Sequence, residues 1–152
     1  MNLVRTSGAF VRASAKQKRL AIEAVWELLR ARILTLRPAA YYTRALGVMT
    51  DAEPTMVPAP AREDADEIGH VVRIVARCMP FRALCLQQAI AVRRMLERRD
   101  IPALVYLGVA RDNAGRSCAH EDRAAHAWVA VGSKVISGDG VLENYAIVAR
   151  FA

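Results

Sequence analysis

The chain is poor in cysteine. Three occur in 152 residues: Cys78, Cys85 and Cys118. An odd count with no C-x-x-C pair excludes a disulfide scaffold, and Cys118-x-His120 is not a usual structural zinc spacing. Long apolar runs are missing too, since none approaches the ~20 residues needed to span a bilayer. The first twenty residues, MNLVRTSGAFVRASAKQKRL, carry Arg and Lys but no apolar core of signal-peptide length. These absences point to a cytoplasmic chain with reduced thiols and no membrane anchoring. No basic run is interleaved with aromatics, so nucleic acid is not an expected partner. No internal repeat is visible.

What is present is apolar bulk and positive charge. Hydrophobic residues make up 54% of the chain, the formal net charge is +7 and the pI is about 9.9. This composition suits one globular domain, which at this length buries roughly 68–70% of its unfolded surface. The charge favours acidic partners.

The pattern along the chain is helical first. In AKQKRLAIEAVWELLRARILTLR, the residues Ile22, Val25, Trp26, Leu29, Ile33 and Leu36 recur at three- and four-residue steps. The spacing predicts an amphipathic helix whose stripe packs on the domain, with a docking face for a partner protein or a membrane interface as the alternative. Pro38 ends that helix or lies just past its end. Residues 51–67, with three prolines and six acids, read as an acidic loop. A helix then resumes through Ile68, Val71, Val72 and Val75, with Asp64 or Asp66 as its cap. Pro80 breaks it, and a further helix runs from Phe81 to Arg99 until Asp100 and Pro102 stop it. From Ile101 onward alternating and β-branched residues predict strands in PALVYLGVARD, AHAWVAVGS, KVISG and YAIVARF. Helices followed by strands imply an α+β domain with a small antiparallel sheet. The expected division is a helical segment over 1–50, the acidic loop over 51–67 and a core over 68–152, all in one compact domain.

Cys85 raises the chemical question. Cys85, Ala89, Val92 and Leu96 form one helical stripe with Arg94 and Arg98 toward the opposite, solvated side. Free cysteine usually acts as a small buried hydrophobe. Yet thiols at helix N-termini beside a cation can ionise at roughly pH 3.5–7.5 against about 8.5 for an ordinary thiol, and the thiolate is the nucleophile. His126 opens the strand HAWVAV, where the backbone holds its direction, and is the candidate base. His70 reads as a surface residue, and His120 sits in a polar loop. Asp139, at the end of the next strand, is placed to orient the imidazole. Asp-Gly is also an ordinary turn. Trp128 shares the strand face of His126 and either walls a cleft or fills the core, as does Tyr106. Cys78 reads as a core residue.

The ordered set FRALCLQQAIAVRRMLERRDIPALVYLGVARD followed by AHAWVAV resembles the transglutaminase-like peptidase domain of lasso-peptide maturation proteins. The resemblance covers Pro80 to roughly Asp139. It implies a papain-like cysteine peptidase core with Cys85 as nucleophile, His126 as base and Asp139 as acid. Glu143, Asp112 and Asp122 are the fallback acids. Many relatives carry Glu where this chain has Ala130. The implied activity is removal of the leader from a ribosomally made precursor through an acyl-thioester on Cys85, with no metal and no cofactor. The implied partners are the precursor leader peptide, a separate leader-recognition protein and an ATP-dependent lasso cyclase. The competing readings are a non-catalytic binding module on the same scaffold, an acyltransferase or amidase using the same triad, and a metal site built from Cys78, Cys85, Cys118 and His120.

Overall fold

The computed structural model describes residues 14–110, 125–138 and 142–152. Among the described residues four helices come first: α1 (Ala15–Thr35), α2 (Ala39–Leu46), α3 (Ala59–Cys78) and α4 (Cys85–Glu97). Four strands follow: β1 (Leu104–Ala110), β2 (Ala125–Val131), β3 (Lys134–Ser137) and β4 (Tyr145–Phe151). The strands form one antiparallel sheet in the order β3-β2-β1-β4. This is the α+β arrangement that the pattern implies, and all four expected strands are present.

The helix boundaries follow local chemistry. Ser14 Oγ accepts the Gln17 N–H at 3.2 Å while Gln17 Oε1 accepts the Ser14 N–H at 3.1 Å, so two orphan donors at the start of α1 are satisfied reciprocally. Pro38 stands at the start of α2, a short helix that hydropathy did not signal. α3 begins at Ala59, with Pro60 in its first turn, where a missing N–H costs nothing. Glu63, Asp64, Asp66 and Glu67, expected in a loop, therefore lie inside a helix, while Asp51 and Glu53 stay outside it, and neither Asp64 nor Asp66 caps it. They tie α3 to its surroundings instead. Lys16 Nζ meets Asp64 Oδ1 at 2.7 Å and Glu67 Oε2 at 2.6 Å, and Lys134 meets Asp66. The hydrogen bond to Asp64, then that to Glu67, hold the Lys16 ammonium above its ordinary range. α3 crosses β3 at Gly69, where a Cβ would stand 2.3 Å from the Ile136 carbonyl oxygen. Only glycine permits that approach.

α4 is the central helix. It packs against α1, α3 and β2. Gln87, Ala89, Ile90, Ala91, Val92, Met95 and Leu96 are all buried, a wider arc than one stripe because three elements cover it. Its C-terminal arginines are partly exposed, as expected of a solvated face, but they also pair with acids of α1. Arg98 donates to Glu27 Oε1 at 2.9 Å and to Glu23 Oε1 at 2.9 Å, and Arg99 pairs with Glu23 Oε2 at 2.6 Å. Arg94 Nε stands 3.4 Å from Glu27 Oε2, close enough for charge attraction but without hydrogen-bond geometry. Burial alone would push the Glu23 carboxyl up, yet the Arg99 and Arg98 contacts together hold it below its usual range. Glu27 is fully buried, so its charge depends on these guanidinium groups.

This ion cluster settles which face of α1 turns inward. Leu20, Ala24, Glu27, Leu28 and Ala31 are the buried residues. The stripe of Ile22, Val25, Trp26, Leu29, Ile33 and Leu36, expected to pack on the domain, is exposed along its whole length. The small residues Ala24 and Ala31 let α4 approach closely, and Glu23 and Glu27 reach Arg94, Arg98 and Arg99 only from that side.

The sheet separates two clusters. Val105, Ala127, Val129, Val131 and Ile136 join the helices in the main core. Leu104, Tyr106, Trp128 and Ala130 form a second cluster on the other face. Among the described residues no helix is long and apolar enough to cross a membrane.

Arg98→Ala would leave Glu27 buried with only the Arg94 contact. Urea unfolding should show a loss of about 3 kcal/mol, against under about 1 kcal/mol for Lys134→Ala at an exposed pair.

Candidate active site

Cys85 is the first residue of α4, not a residue within a longer helix from Phe81. Residues 81–84 are extended or bent, and Leu84 at the cap position has no side-chain acceptor. Gln87 reaches back, its Oε1 accepting the Leu84 N–H at 3.0 Å while its Nε2 donates to Thr35 Oγ1 at 2.9 Å. That bridge pins the start of α4 to the end of α1. Among the described residues the cap position meanwhile gives the first-turn N–H groups no side-chain acceptor. A helix start of this kind favours negative charge. Cys85 is half-buried and free, packed against the main core cluster. Cys78 is exposed at the last position of α3 and is not the core residue that its apolar character suggests, because α3 turns that flank to solvent.

His126 lies at the second position of β2, opposite Gly108 of β1. Its ring stacks on Trp128 at 5.9 Å and tilts against Tyr145 at 5.1 Å. Trp128 in turn stacks on Tyr106 at 5.5 Å, almost parallel. Trp128 and Tyr106 are buried in the outer cluster, so they are core on that face and a platform for the imidazole at once. His126 Nε2 donates to the Gly138 carbonyl at 2.9 Å. A carbonyl can only accept, so the neutral ring carries its proton on Nε2 and presents a bare Nδ1.

Gly138 makes this contact possible. Its φ is +80°, and a Cβ there would stand 2.6 Å from the Ala127 carbonyl oxygen and 2.8 Å from Trp128 Cβ. Asp139, the expected orienting acid, is the next residue and lies outside the described residues, as do Asp112, Asp122, Cys118 and His120. Glu143 is exposed in a single 3-10 turn, Leu142–Asn144, and His70 is exposed on α3. The structure thus sets His126 against the Gly138 carbonyl. It does not bring His126 to Cys85: among the described residues no hydrogen bond joins them, and the ring lies on the sheet face away from the main core.

An open cleft of about 570 Å³ lies between the end of α3 and the loop into α4. Arg73, Arg77, Phe81, Arg82 and Gln88 line it. It adjoins Cys85 in the chain without including it. Three arginines and an aromatic ring suit an acidic or extended peptide segment. Sequence reasoning missed this cleft, although Arg73 and Arg77 stand four residues apart on one helix flank. It also missed Gly138, for which the glycine-flanked SGDG was a usable sign, and Tyr145, for which there was none. Among the described residues no three His, Cys, Asp or Glu side chains gather to hold a metal.

A cysteine opening a buried helix, ahead of an antiparallel sheet whose second strand carries histidine at its second position, is an α+β arrangement. The chain matches the family described as Transglutaminase-like superfamily over residues 25–150, and it belongs to that family. Its members are typically cysteine peptidases or acyltransferases. No curated protein and no solved structure matches it.

Gly138→Ala should displace the carbonyl that holds His126. We expect a loss of about 2 kcal/mol in stability, together with a mixed Nδ1–H/Nε2–H population in the ¹⁵N spectrum of His126. A single tautomer retained in the variant would show that the Gly138 carbonyl does not set the ring.

Proposed function

We propose that the chain is a cysteine peptidase that removes the leader from a ribosomally made lasso-peptide precursor. The observation that carries this reading is Cys85 as first residue of a pinned helix, with uncapped first-turn N–H groups, in a transglutaminase-like chain. In the proposed reaction His126 takes the Cys85 proton and the thiolate attacks the carbonyl at the leader–core junction. The helix-start N–H groups receive the oxyanion. Protonated His126 then gives its proton to the departing core amine as the C–N bond breaks, leaving the leader as a thioester on Cys85. Water, deprotonated by His126, hydrolyses that thioester, releasing the leader acid and the thiol. Asp139 is the proposed acid that stabilises the imidazolium. The arginine-lined cleft is the proposed resting place of an acidic stretch of leader.

Proton transfer needs the ring and the thiol within about 2.6–3.2 Å, and such contacts often tighten only in the substrate complex. The proposed partners are a separate leader-recognition protein, which presents the substrate, and an ATP-dependent cyclase, which takes the released core. A cytoplasmic site of action is part of the same proposal. A second reading is favoured by one observation, that His126 lies on the far face of the sheet from the main core. On that reading the chain binds its peptide without cutting it.

The test is cleavage of a candidate precursor, with the leader-recognition protein present, followed by mass spectrometry. Cys85→Ala should lose turnover by at least about a thousandfold while still retaining the leader on a binding assay. Equal cleavage by Cys85→Ala would overturn the peptidase proposal. Binding without cleavage by either protein would favour the second reading.

A further inference from the structure

The outward face of α1 is apolar and unexplained by the fold. Ile22, Trp26, Leu29, Ile33 and Leu36 are 66%, 60%, 38%, 57% and 70% exposed. Their spacing is four, three, four, three. That is a strict 3.5-residue repeat, the pattern of a seam made for a second helix. The seam lies opposite the buried residues Leu20, Ala24, Leu28 and Ala31, so it contributes nothing to the domain core. It runs for ~21 Å at 1.5 Å per residue, and its side chains expose several hundred square ångströms, near the upper limit for a patch that a monomer leaves uncovered.

Cations dominate the flanks, where Glu23 alone among the acids shares the side of Arg30 and Arg37. Lys18 and Arg32 border the seam on one side, Arg30 and Arg37 on the other, and Arg19 continues it toward the N-terminus. Arg32 lies over the Phe81 ring and Arg37 over Tyr41, contacts that leave their charge in place. The acids of this helix, Glu23 and Glu27, are both committed to arginines of α4. In a two-helix pairing the flanking positions choose the partner by charge.

We propose that this face docks an amphipathic helix of another protein, with an apolar seam of matching period bordered by Asp or Glu. A second copy of the chain is disfavoured because Lys18, Arg30, Arg32 and Arg37 would oppose their own kind. A lipid surface fits less well. A helix lying in a membrane presents a broad apolar arc with its charges on the opposite face, whereas here the arc is one seam crowded by cations and the opposite face is filled by the core. The inference is independent of the proposed peptidase activity, since α1 carries none of its reacting groups.

Trp26 reports on the seam directly, because the other tryptophan, Trp128, is already buried. The probe is a synthetic 21-residue helix with Leu at the seam positions and Glu on both flanks, added to the full chain. Trp26 emission should shift to the blue with micromolar affinity that weakens as salt rises, and a Lys-flanked peptide should bind at least about tenfold more weakly. The pair Trp26→Glu and Ile33→Glu should abolish binding of the same peptide, followed by calorimetry, without lowering the melting temperature. Equal affinity for the Glu- and Lys-flanked peptides would overturn the charge match. No binding of either would overturn the helix seam. A blue shift produced by phosphatidylglycerol vesicles and not by the peptide would assign the face to lipid. Dimer formation at micromolar concentration, abolished by the double variant, would assign it to a second copy.

Discussion

The pairing of Glu23 and Glu27 with Arg94, Arg98 and Arg99 is the constraint on which the arrangement of helices depends. A fully buried carboxylate is tolerated only with its cations in place. Glu27 therefore fixes the rotation of α1, and with it the position of α4 between α1 and the sheet. The apolar side chains of α4 would be content against several neighbours. The charges are not. The same choice exposes the second apolar stripe of α1, and it holds α4 so that its start, pinned by the Gln87–Thr35 bridge, lies at the edge of the arginine-lined cleft.

The sheet supplies the other half of the candidate site. The β2–β3 hairpin returns the chain so that the Gly138 carbonyl meets His126, and the aromatic stack of Tyr106, Trp128 and His126 holds the ring flat against the outer face. Thiol and imidazole are thus each set by their own scaffold: one by a helix junction, the other by a hairpin and a stack. The proposed chemistry requires those two scaffolds to meet at the open end of β2.

Much of this was legible in the sequence, and the misses have physical reasons. The four strands follow from alternation, and the cysteine at a helix start from the break at Pro80. The direction in which α1 faces was not legible, because both of its sides carry apolar residues at helical spacing. Hydropathy weighed the larger stripe, whereas the buried glutamates decided the outcome through arginines some seventy residues away. Asp64 and Asp66 look like caps in isolation, but Pro58 and Pro60 start α3 earlier. The exposure of Cys78 depends on how α3 is rotated, which no local pattern encodes. Of the candidate triad, the helix position of Cys85 and the strand position of His126 were visible. The carbonyl that holds the imidazole was hidden, since backbone acceptors leave no mark in residue type.

The central claim is that Cys85 is a nucleophile served by His126. Its most direct measure is the alkylation rate of Cys85 by iodoacetamide, read by peptide mass spectrometry against exposed Cys78 in the same molecule. The account predicts that Cys85, although half-buried, reacts faster than Cys78 and that His126→Ala removes the advantage. A Cys85 that reacts more slowly than Cys78, at a rate His126→Ala leaves unchanged, would contradict it.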